Sequence, residues 1–376
     1  MNHYISCLLL FIVLLFGCED QGDPELQPGP IVSSRVGVIN DRINDIPIVV
    51  YGDEERGIFK AFIRKDNSGK ESTFSLSDEG FPNSLLDSDG NVYSVLGQGV
   101  SQGVTNSILG NVDHLVGYWF FFPSFYENVQ LSNGEVIQNT PDSPDNSEWL
   151  INTGSIAYGS FRDGIRSIDN PTFLDNLGKN LVDHPLFGSL GDDELVTVVQ
   201  HNGLSRIYPH RILEYHEIVN DVIDDFYFTV SFCPLTGTSK VWNREINGDL
   251  TEFGVSGLLF NNNLILYDRS TESNWSQILD LAVNGELAGE KVSYIEVAEM
   301  KLKDAIFLNG RLELLEPDTE TSLEYNVSSY EEYKTSETVL FPLANRDNTM
   351  PAKERVIGVT VDGITKVYRF SDFERN

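Results

Sequence analysis

The sequence predicts a mainly β protein with few helices, in which a β-rich unit of sandwich or barrel-like form is duplicated. Short runs of β-branched and aromatic residues recur along the 376 residues, separated by Gly, Asn and Asp, which is typical of short strands joined by turns. The segment 45–64 also matches the segment 225–244 without a gap when it is shifted by 180 positions. A repeat of this kind indicates two copies of one structural unit.

The N-terminal region predicts export. An apolar run from Ile5 to Phe16 has about the length of the core of a secretory signal and is too short to span a bilayer. The Gly17-Cys18 step that follows resembles the lipobox of bacterial lipoproteins, which implies cleavage after Gly17 and lipidation of the Cys18 thiol. We expect a lipid-anchored, extracytoplasmic protein of the bacterial cell envelope, bound to the membrane through this lipid. An ordinary signal peptide is the alternative.

Polar segments divide the remainder of the chain. The segment 18–33 is acidic, contains Gly and Pro and lacks periodicity, so we expect a tether. Residues 139–148 form a polar, Pro-rich break. The predicted organisation is a signal peptide over 1–17, the tether over 18–33, a degenerate first β unit over 34–138, a main domain over 149–325 and a C-terminal partial repeat over 326–376.

Individual elements follow from residue type. Strands are predicted at Ile48–Tyr51, Tyr118–Phe122, Leu195–Gln200, Phe226–Cys233, Leu258–Tyr267 and Val356–Val361. Helices are predicted at Glu296–Ala305 and Ser329–Lys334. The segment Arg355–Tyr368 matches Leu195–Tyr208 with a shift of 160 positions, so we expect a truncated third copy at the C-terminal end.

Composition excludes several partners. With 57 acidic and 26 basic residues, the net charge is −31, so the surface repels nucleic acid and anionic lipid headgroups. The chain has three Cys residues. Cys7 leaves with the predicted signal and Cys18 carries the predicted lipid, so Cys233 has no disulfide partner.

Several sequence blocks between residues 161 and 277 resemble a bacterial domain-of-unknown-function family that is found in exported and membrane-anchored proteins. The blocks include Arg162-Asp163-Gly164-Ile165, Asn170-Pro171-Thr172-Phe173, Tyr208-Pro209-His210-Arg211-Ile212-Leu213, His216-Glu217-Ile218-Val219-Asn220-Asp221, Cys233-Pro234-Leu235-Thr236-Gly237-Thr238 and Phe253-Gly254-Val255-Ser256-Gly257. The family typically carries Cys-Pro-Leu-Cys-Gly, whereas Thr236 takes the place of the second Cys here. The resemblance implies no established activity.

A predicted hairpin within these blocks brings polar residues together. The apolar runs Ile218–Ile223 and Phe226–Phe232 flank a turn at Asp224-Asp225, so the numbers of paired residues sum to 449. When this register is extended, His216 lies opposite Cys233, with Cβ atoms about 4.5–5.5 Å apart. One face of the hairpin is then apolar and the other is polar and ends at the thiol.

A His beside a lone Cys supports three interpretations. Cys233, His216 and a third ligand, His210, could bind copper or zinc. Alternatively, Cys233 could be a nucleophile and His216 its base, with Asn220 or Glu217 orienting the imidazole ring. In the third interpretation, both residues are structural.

Two neighbouring segments are candidates for contact with a ligand. The backbone at Thr236, Gly237 and Thr238 could bind an anion, and Asp268, Arg269 and Trp275 could line a pocket. We therefore predict an envelope protein that binds a soft metal or a small ligand. A thiol-dependent enzyme and a structural envelope protein without a site are the alternatives.

Overall fold

The computed structural model describes residues 35–66, 68–105, 107–140, 142–175, 185–318 and 323–373. The predicted signal peptide, Cys18 and the tether lie outside these residues. Ser34–Asn376 forms one compact unit. Within the described ranges, no helix is both long enough and apolar enough to span a membrane.

Strands dominate the structure. The first half of the chain contains β1 (Val36–Ile43), β2 (Ile46–Asp53), β3 (Ile58–Ile63), β4 (Phe74–Leu76), β5 (Leu85–Asp87), β6 (Val92–Tyr93), β7 (Gly110–Asn111), β8 (His114–Tyr118), β9 (Asn128–Leu131), β10 (Val136–Gln138), β11 (Ile156–Tyr158) and β12 (Phe173–Leu174). The second half contains β13 (Leu195–His201), β14 (Leu204–Pro209), β15 (Ile218–Ile223), β16 (Phe226–Cys233), β17 (Thr238–Asn243), β18 (Glu245–Ile246), β19 (Asp249–Leu250), β20 (Phe253–Phe260), β21 (Asn263–Asp268), β22 (Asn274–Ser276), β23 (Leu281–Asn284), β24 (Tyr294–Ile295), β25 (Ala298–Lys301), β26 (Arg311–Leu315), β27 (Arg355–Val361) and β28 (Ile364–Arg369).

Helices are short. They are α1 (Phe122–Phe125), α2 (Pro185–Leu190), α3 (His210–His216), α4 (Leu302–Ala305) and α5 (Glu331–Thr335), with 3-10 turns at Trp119–Phe121, Thr153–Ser155 and Phe370–Asp372. Among the described residues, strands account for 43% and helices for 10%, which confirms the predicted mainly β class.

Three element predictions were wrong. The predicted strand at Tyr118–Phe122 is a 3-10 turn followed by α1, because Pro123 favours the first turn of a helix. The predicted strand at Leu258–Tyr267 is a hairpin that turns at Asn261 and Asn262, both with positive φ. The predicted helix at 296–305 contains strand β25 before the four residues of α4.

Six sheets of three or more strands form the blades of a six-bladed β-propeller, which is a more specific architecture than the predicted sandwich or barrel-like repeat. Their strand orders are β1-β2-β3-β7 in blade 1, β4-β5-β6 in blade 2, β12-β26-β14-β13-β25 in blade 3, β15-β16-β17-β24 in blade 4, β11-β20-β21-β22-β23 in blade 5 and β10-β9-β28-β27-β8 in blade 6. Shared apolar clusters join blades 1, 2 and 3, blades 3 and 4, blades 4 and 5, and blades 6 and 1. Edge-on packing of Phe125 against Phe260 joins blades 6 and 5.

The sequence repeat coincides with strand register. In blade 1, Ile43 pairs with Ile46 across the first hairpin. In blade 4, Ile223 pairs with Phe226, and both residues lie 180 positions after their counterparts in blade 1. The next strand pair follows the same rule, with Asp53 facing Ile58 and Cys233 facing Thr238. Blades 1 and 4 are therefore copies of one meander.

The C-terminal repeat, Arg355–Tyr368, is part of blade 6 and does not form a separate unit. Val361 faces Ile364 in blade 6, and His201 faces Leu204 in blade 3, 160 positions earlier. In each of these blades the second strand of the hairpin also pairs in parallel with another strand, β28 with β9 and β14 with β26. The hairpin β27–β28 thus completes blade 6, so the propeller consists of two halves of three blades: 6, 1 and 2 against 3, 4 and 5.

Turn chemistry supports the equivalence of the halves. The hairpins of blades 3 and 6 turn at Asn202-Gly203 and Asp362-Gly363, where all four residues have positive φ. Asn, Asp and Gly tolerate this conformation better than other residues, and two-residue turns with positive φ match the twist of paired strands.

Candidate functional site

The predicted hairpin of blade 4 is correct over its strands but wrong at His216. Ile218 faces Ser231 and Ile223 faces Phe226, as the sum of 449 requires. His216, however, is the last residue of α3 and is outside the strand. Pro209 lacks an N–H and precedes α3, and the chain leaves this helix at Glu217 with a φ of 58°.

His216 and Cys233 consequently belong to different apolar environments. His216 stacks on Tyr325, a member of the cluster between blades 3 and 4, whereas Cys233 belongs to the cluster between blades 4 and 5. The His216 Nδ1 atom is 2.7 Å from the carbonyl oxygen of Arg166. The expected His216–Cys233 pairing is therefore wrong, and with it the nucleophile–base pair and the copper or zinc site as drawn.

Cys233 is buried in a setting that disfavours its thiolate. Its side chain is 1% exposed, and its Sγ donates to the carbonyl oxygen of Asn262 at 3.6 Å. Burial raises the pKa of the Cys233 thiol, and the nearby Glu217 raises it further. Burial also raises the pKa of Glu217 to about 8. Among the described residues, no group of three or more His, Cys, Asp or Glu side chains could hold a metal ion.

Asn220 has a structural role that the repeat reveals. Its Nδ2 donates to the carbonyl oxygen of Phe253 at 2.8 Å, and the Phe253 N–H donates back to its Oδ1 at 3.0 Å. In the other half, Asn40 makes the same two contacts with the backbone of Phe74. We call this paired contact the amide latch; it joins blade 4 to blade 5, and blade 1 to blade 2.

Asp268 and Trp275 likewise form a pair within blade 5, and both side chains are fully buried. The Trp275 indole N–H donates to Asp268 at 3.0 Å, as the Tyr93 hydroxyl donates to Asp87 at the equivalent place in blade 2. Arg269 forms ion pairs with Asp169 and Glu252. Asp268 and Trp275 therefore bind each other inside the blade, and a pocket at Asp268, Arg269 and Trp275 stays a prediction.

Thr236 and Thr238 also face inward. Their hydroxyls are 2.9 Å apart, and both are hydrogen-bonded by the amide of Asn263. Neither side chain is exposed. Of the three predicted anion-binding positions, Gly237 borders open space.

That space is a cavity of about 510 Å³ to which blades 3, 4 and 6 and helix α5 all contribute, and we call it the axial cavity. Because blades 3 and 6 are not neighbours in the ring, the cavity lies at the centre of the ring. It contains two of the predicted site residues, His210 and Gly237. Its other polar and charged side chains are those of Tyr118, Asp192, Asp193, Glu194, Arg211, Glu331, Lys334 and Arg355.

Three cations in the cavity wall each have a more deeply buried carboxylate as partner. Arg211 pairs with Glu194, Lys334 with Glu214, and Arg355 with Glu299. The side chains of the three cations are 16%, 30% and 17% exposed, whereas those of the carboxylates are 6%, 0% and 4% exposed. The positive groups therefore lie nearer the open space than their negative partners.

Two guanidinium groups in this wall retain unused donors. The Nε atoms of Arg211 and Arg355 are buried and have no hydrogen-bond partner among the described residues. A buried N–H without an acceptor costs about 1–3 kcal/mol, and more when the group is charged.

His210 lies beside these cations and is held from behind. Its ring stacks on Phe232 with a centroid distance of 4.2 Å, and its Nε2 is 3.0 Å from the Thr197 hydroxyl. Burial lowers the pKa of His210 well below its usual value, and Arg355 and Lys334 lower it further. The ring is therefore neutral at pH 7.

Gly237 and Tyr118 form another part of the wall. The φ of Gly237 is +63°, and a Cβ atom at this position would lie 3.1 Å from the Tyr118 ring. A side chain at residue 237 would therefore strain the backbone and displace the tyrosine. Burial raises the pKa of Tyr118 to about 12, so its hydroxyl stays protonated and can donate.

Sequence reasoning missed Tyr118, Glu194, Arg211, Lys334 and Arg355 as site residues. They come from distant parts of the chain, and no local motif connects them. A usable signal was present in the repeat: Arg355 aligns with Leu195 at a shift of 160, so a charged residue replaces an apolar one between equivalent strands.

Comparison with known proteins identifies a family but supplies no activity. A family model described as a protein of unknown function, DUF3179, matches residues 162–376. No curated protein and no solved structure matches the chain. The match includes blades 3 and 4, blade 5 except for β11, the hairpin that completes blade 6 and most of the axial cavity. Since more than half of its residues match, the chain belongs to the DUF3179 family.

Proposed function

We propose that this protein binds a small organic anion, with a carboxylate or phosphate group, in the axial cavity. The observation that carries the proposal is the set of three cations in the cavity wall, Arg211, Lys334 and Arg355, each of which is more exposed than the carboxylate that it pairs with. Guanidinium groups favour carboxylate and phosphate oxygens because their N–H donors match the geometry of these groups.

The size and chemistry of the cavity support the same class of ligand. Its volume of about 510 Å³ is within the range of small-molecule sites, about 300–1,000 Å³. Hydroxyl and imidazole groups from Tyr118 and His210 stand beside the cations and could fix the orientation of a ligand. The same wall also contains the carboxylates of Asp192, Asp193, Glu194 and Glu331, so an anion would have to contact the three cations directly.

The test is calorimetric titration of the purified full chain with succinate, malate and inorganic phosphate. We expect at least one of them to bind, and Arg355→Gln to weaken that binding by about tenfold or more, as expected for a charged hydrogen bond. Arg206→Gln is the matched control, because Arg206 is a partly buried arginine that pairs with Asp221 and Glu313 outside the cavity. Absence of binding by all three anions, or equal affinity of the Arg355→Gln variant, would refute the proposal.

We also propose that Cys18 anchors the protein to a bacterial membrane through a lipid, with the propeller outside the cytoplasm. The support is the apolar run that ends at Gly17-Cys18. Cys18→Ala should release the protein from the membrane fraction or block its processing, and Cys233→Ala should do neither. A Cys18→Ala protein that is processed and remains bound to the membrane would contradict the anchor.

A further inference from the structure

Most of the charged side chains in the wall of the axial cavity already have an ionic partner. Each of its three cations pairs with a buried carboxylate. Asp193 pairs with Lys301 at 2.8 Å and with Lys303 at 3.1 Å. Asp192 and Glu331 line the same space, are exposed, and form no ion pair with any described residue. The unpaired charge of the cavity is therefore negative and comes from these two carboxylates.

Glu331 is left unpaired although a cation lies one turn away on the same helix. Lys334 follows it by three residues in α5, and side chains with this spacing on a helix have Cβ atoms about 5–6 Å apart. Lys334 nevertheless pairs with Glu214, whose side chain is 0% exposed. The Glu331 carboxylate therefore stays available to a molecule that also contacts Lys334.

Asp192 is not required by the fold at its position. Its carbonyl oxygen accepts a hydrogen bond from the Lys303 N–H, and the same backbone bond recurs in the other half between Ala352 and Phe120. Ala352 lies 160 positions after Asp192, which is the shift that relates blades 3 and 6. Because alanine occupies this position in the other half, the backbone arrangement does not depend on a carboxylate there.

The two unpaired carboxylates change which anion the cavity should prefer. A ligand that has only negative groups is attracted by the three cations but repelled by Asp192 and Glu331, and like-charge contacts of this kind discriminate between ligands. A ligand that also has a positive group would contact both kinds of wall residue favourably. Its two charges can be close together, because Glu331 and Lys334 are neighbours on α5.

We infer that the ligand of the axial cavity carries an ammonium group in addition to its carboxylate or phosphate, as an amino acid or an aminoalkyl phosphate does. The anionic group contacts Arg211, Lys334 and Arg355, and the ammonium group contacts Asp192 and Glu331. The inference rests on the proposed function and specifies the ligand of the same site.

Ligand pairs that differ by one ammonium group test the inference. Calorimetric titration of the full chain at pH 7 compares aspartate with succinate, and phosphoethanolamine with monoethyl phosphate. We expect the member with the ammonium group to bind about three- to tenfold more tightly in at least one pair, the range expected for two ion pairs with exposed carboxylates. A preference in one pair alone identifies the anionic group of the ligand. The preference should decrease as the salt concentration rises.

Two neutral substitutions assign the preference to the carboxylates. The double variant Asp192→Asn/Glu331→Gln should lose the preference for the ammonium member, and it should bind succinate more tightly than the unchanged protein because the repulsion is removed. Both side chains are exposed, so the variant is expected to fold. Glu332→Gln is the matched control, since Glu332 is the exposed neighbour of Glu331 on α5 and is not part of the cavity wall. It should retain the preference.

The outcomes separate the two proposals. Equal or tighter binding of the member without the ammonium group in both pairs, weakened by Arg355→Gln, would refute the ammonium requirement and leave the anion site in place. Absence of binding by all four ligands and by inorganic phosphate would refute the anion site and the inference with it. A preference that survives the double substitution of Asp192 and Glu331 would overturn the inference as well, because these two carboxylates are its basis.

Discussion

The two halves of the propeller share a backbone plan but differ at its centre. A hydrogen-bonded cluster of His210, Thr197 and Ser239 lies in blades 3 and 4. The equivalent residues of blades 6 and 1 are apolar: Phe370 replaces His210, Ile357 replaces Thr197 and Phe59 replaces Ser239. The Phe59 and Phe370 rings stack with a centroid distance of 3.9 Å. The same backbone arrangement therefore accommodates either an apolar core or a polar site. Interactions that occur in both halves are the ones that we expect the fold to need.

The site is nevertheless not confined to one half. Glu299 of blade 3 is equivalent to Val116 of blade 6, but its partner Arg355 comes from blade 6 itself. Tyr118 also comes from blade 6. The polar centre of one half is thus completed by residues of the other, which is possible because their inner strands meet at the ring axis.

The largest expected effect concerns the hairpin that joins the halves. A chain that ends at Lys353 lacks β27 and β28, the two strands that lie between β8 and β9 in blade 6. We expect it to lose cooperative folding, because β8 and β9 would be left as unpaired edges and the ring would stay open. Circular dichroism and thermal unfolding measure this, with a chain that ends at Phe373 as the control. A truncated chain that melts like the control would show that blades 1 to 5 are self-sufficient.

An intermediate effect is expected at the amide latch. Asn220→Ala should lower the free energy of unfolding by about 2–4 kcal/mol, because it leaves the N–H and C=O of Phe253 without partners in a buried place. Asn40→Ala should cost about 1 kcal/mol, since Asn40 is exposed and water can replace its contacts. Denaturant titration of both variants checks the comparison. Equal costs, or loss of ligand binding in folded Asn220→Ala alone, would contradict a shared structural role.

The smallest expected effect is a dependence on pH at the cavity. Burial raises the pKa of Glu194 to about 7, although Arg211 opposes the shift. Since the folded pKa lies above the unfolded value, the folded state binds more protons between about pH 4.5 and 7, and its stability falls as the pH rises through this window. Glu194→Gln should reduce that fall by about 1–3 kcal/mol.

Glu354, the equivalent of Glu194 in the other half, supplies the matched control for the pH experiment. Urea unfolding of Glu194→Gln and Glu354→Gln at pH 5, 6, 7 and 8 measures the difference. An unchanged pH profile in Glu194→Gln would show that the Glu194 carboxyl is already ionised throughout this range.

Sequence predicted local structure well and the assembly poorly. The 180-residue shift located the strand registers of blades 1 and 4, because register depends on a local alternation of apolar residues and on turn residues. It did not predict a propeller, because the pairing that closes the ring joins Tyr118 to Arg355, far apart in the chain. The sequence also did not show that His216 lies in a helix and not in a strand. Helix α3 begins after Pro209 and ends before Glu217, which has a positive φ.

The site could be predicted only in part. His210 and Gly237 were identified from family blocks, and both line the axial cavity. Cys233 and His216 were paired because a period of two was extended beyond the end of a strand. Lys334 and Arg355 could not be connected to His210 by any spacing, because three separate elements bring them together.

The pairing of Tyr118 with Arg355 also has a temporal consequence. A ribosome makes Tyr118 well over two hundred residues before Arg355, and closing a loop of that length is a slow, entropically costly step. The axial cavity therefore receives Arg355 in the same event that closes the ring. A chain that has not yet placed Arg355 lacks this guanidinium group, so an anion that requires it would bind only the closed ring.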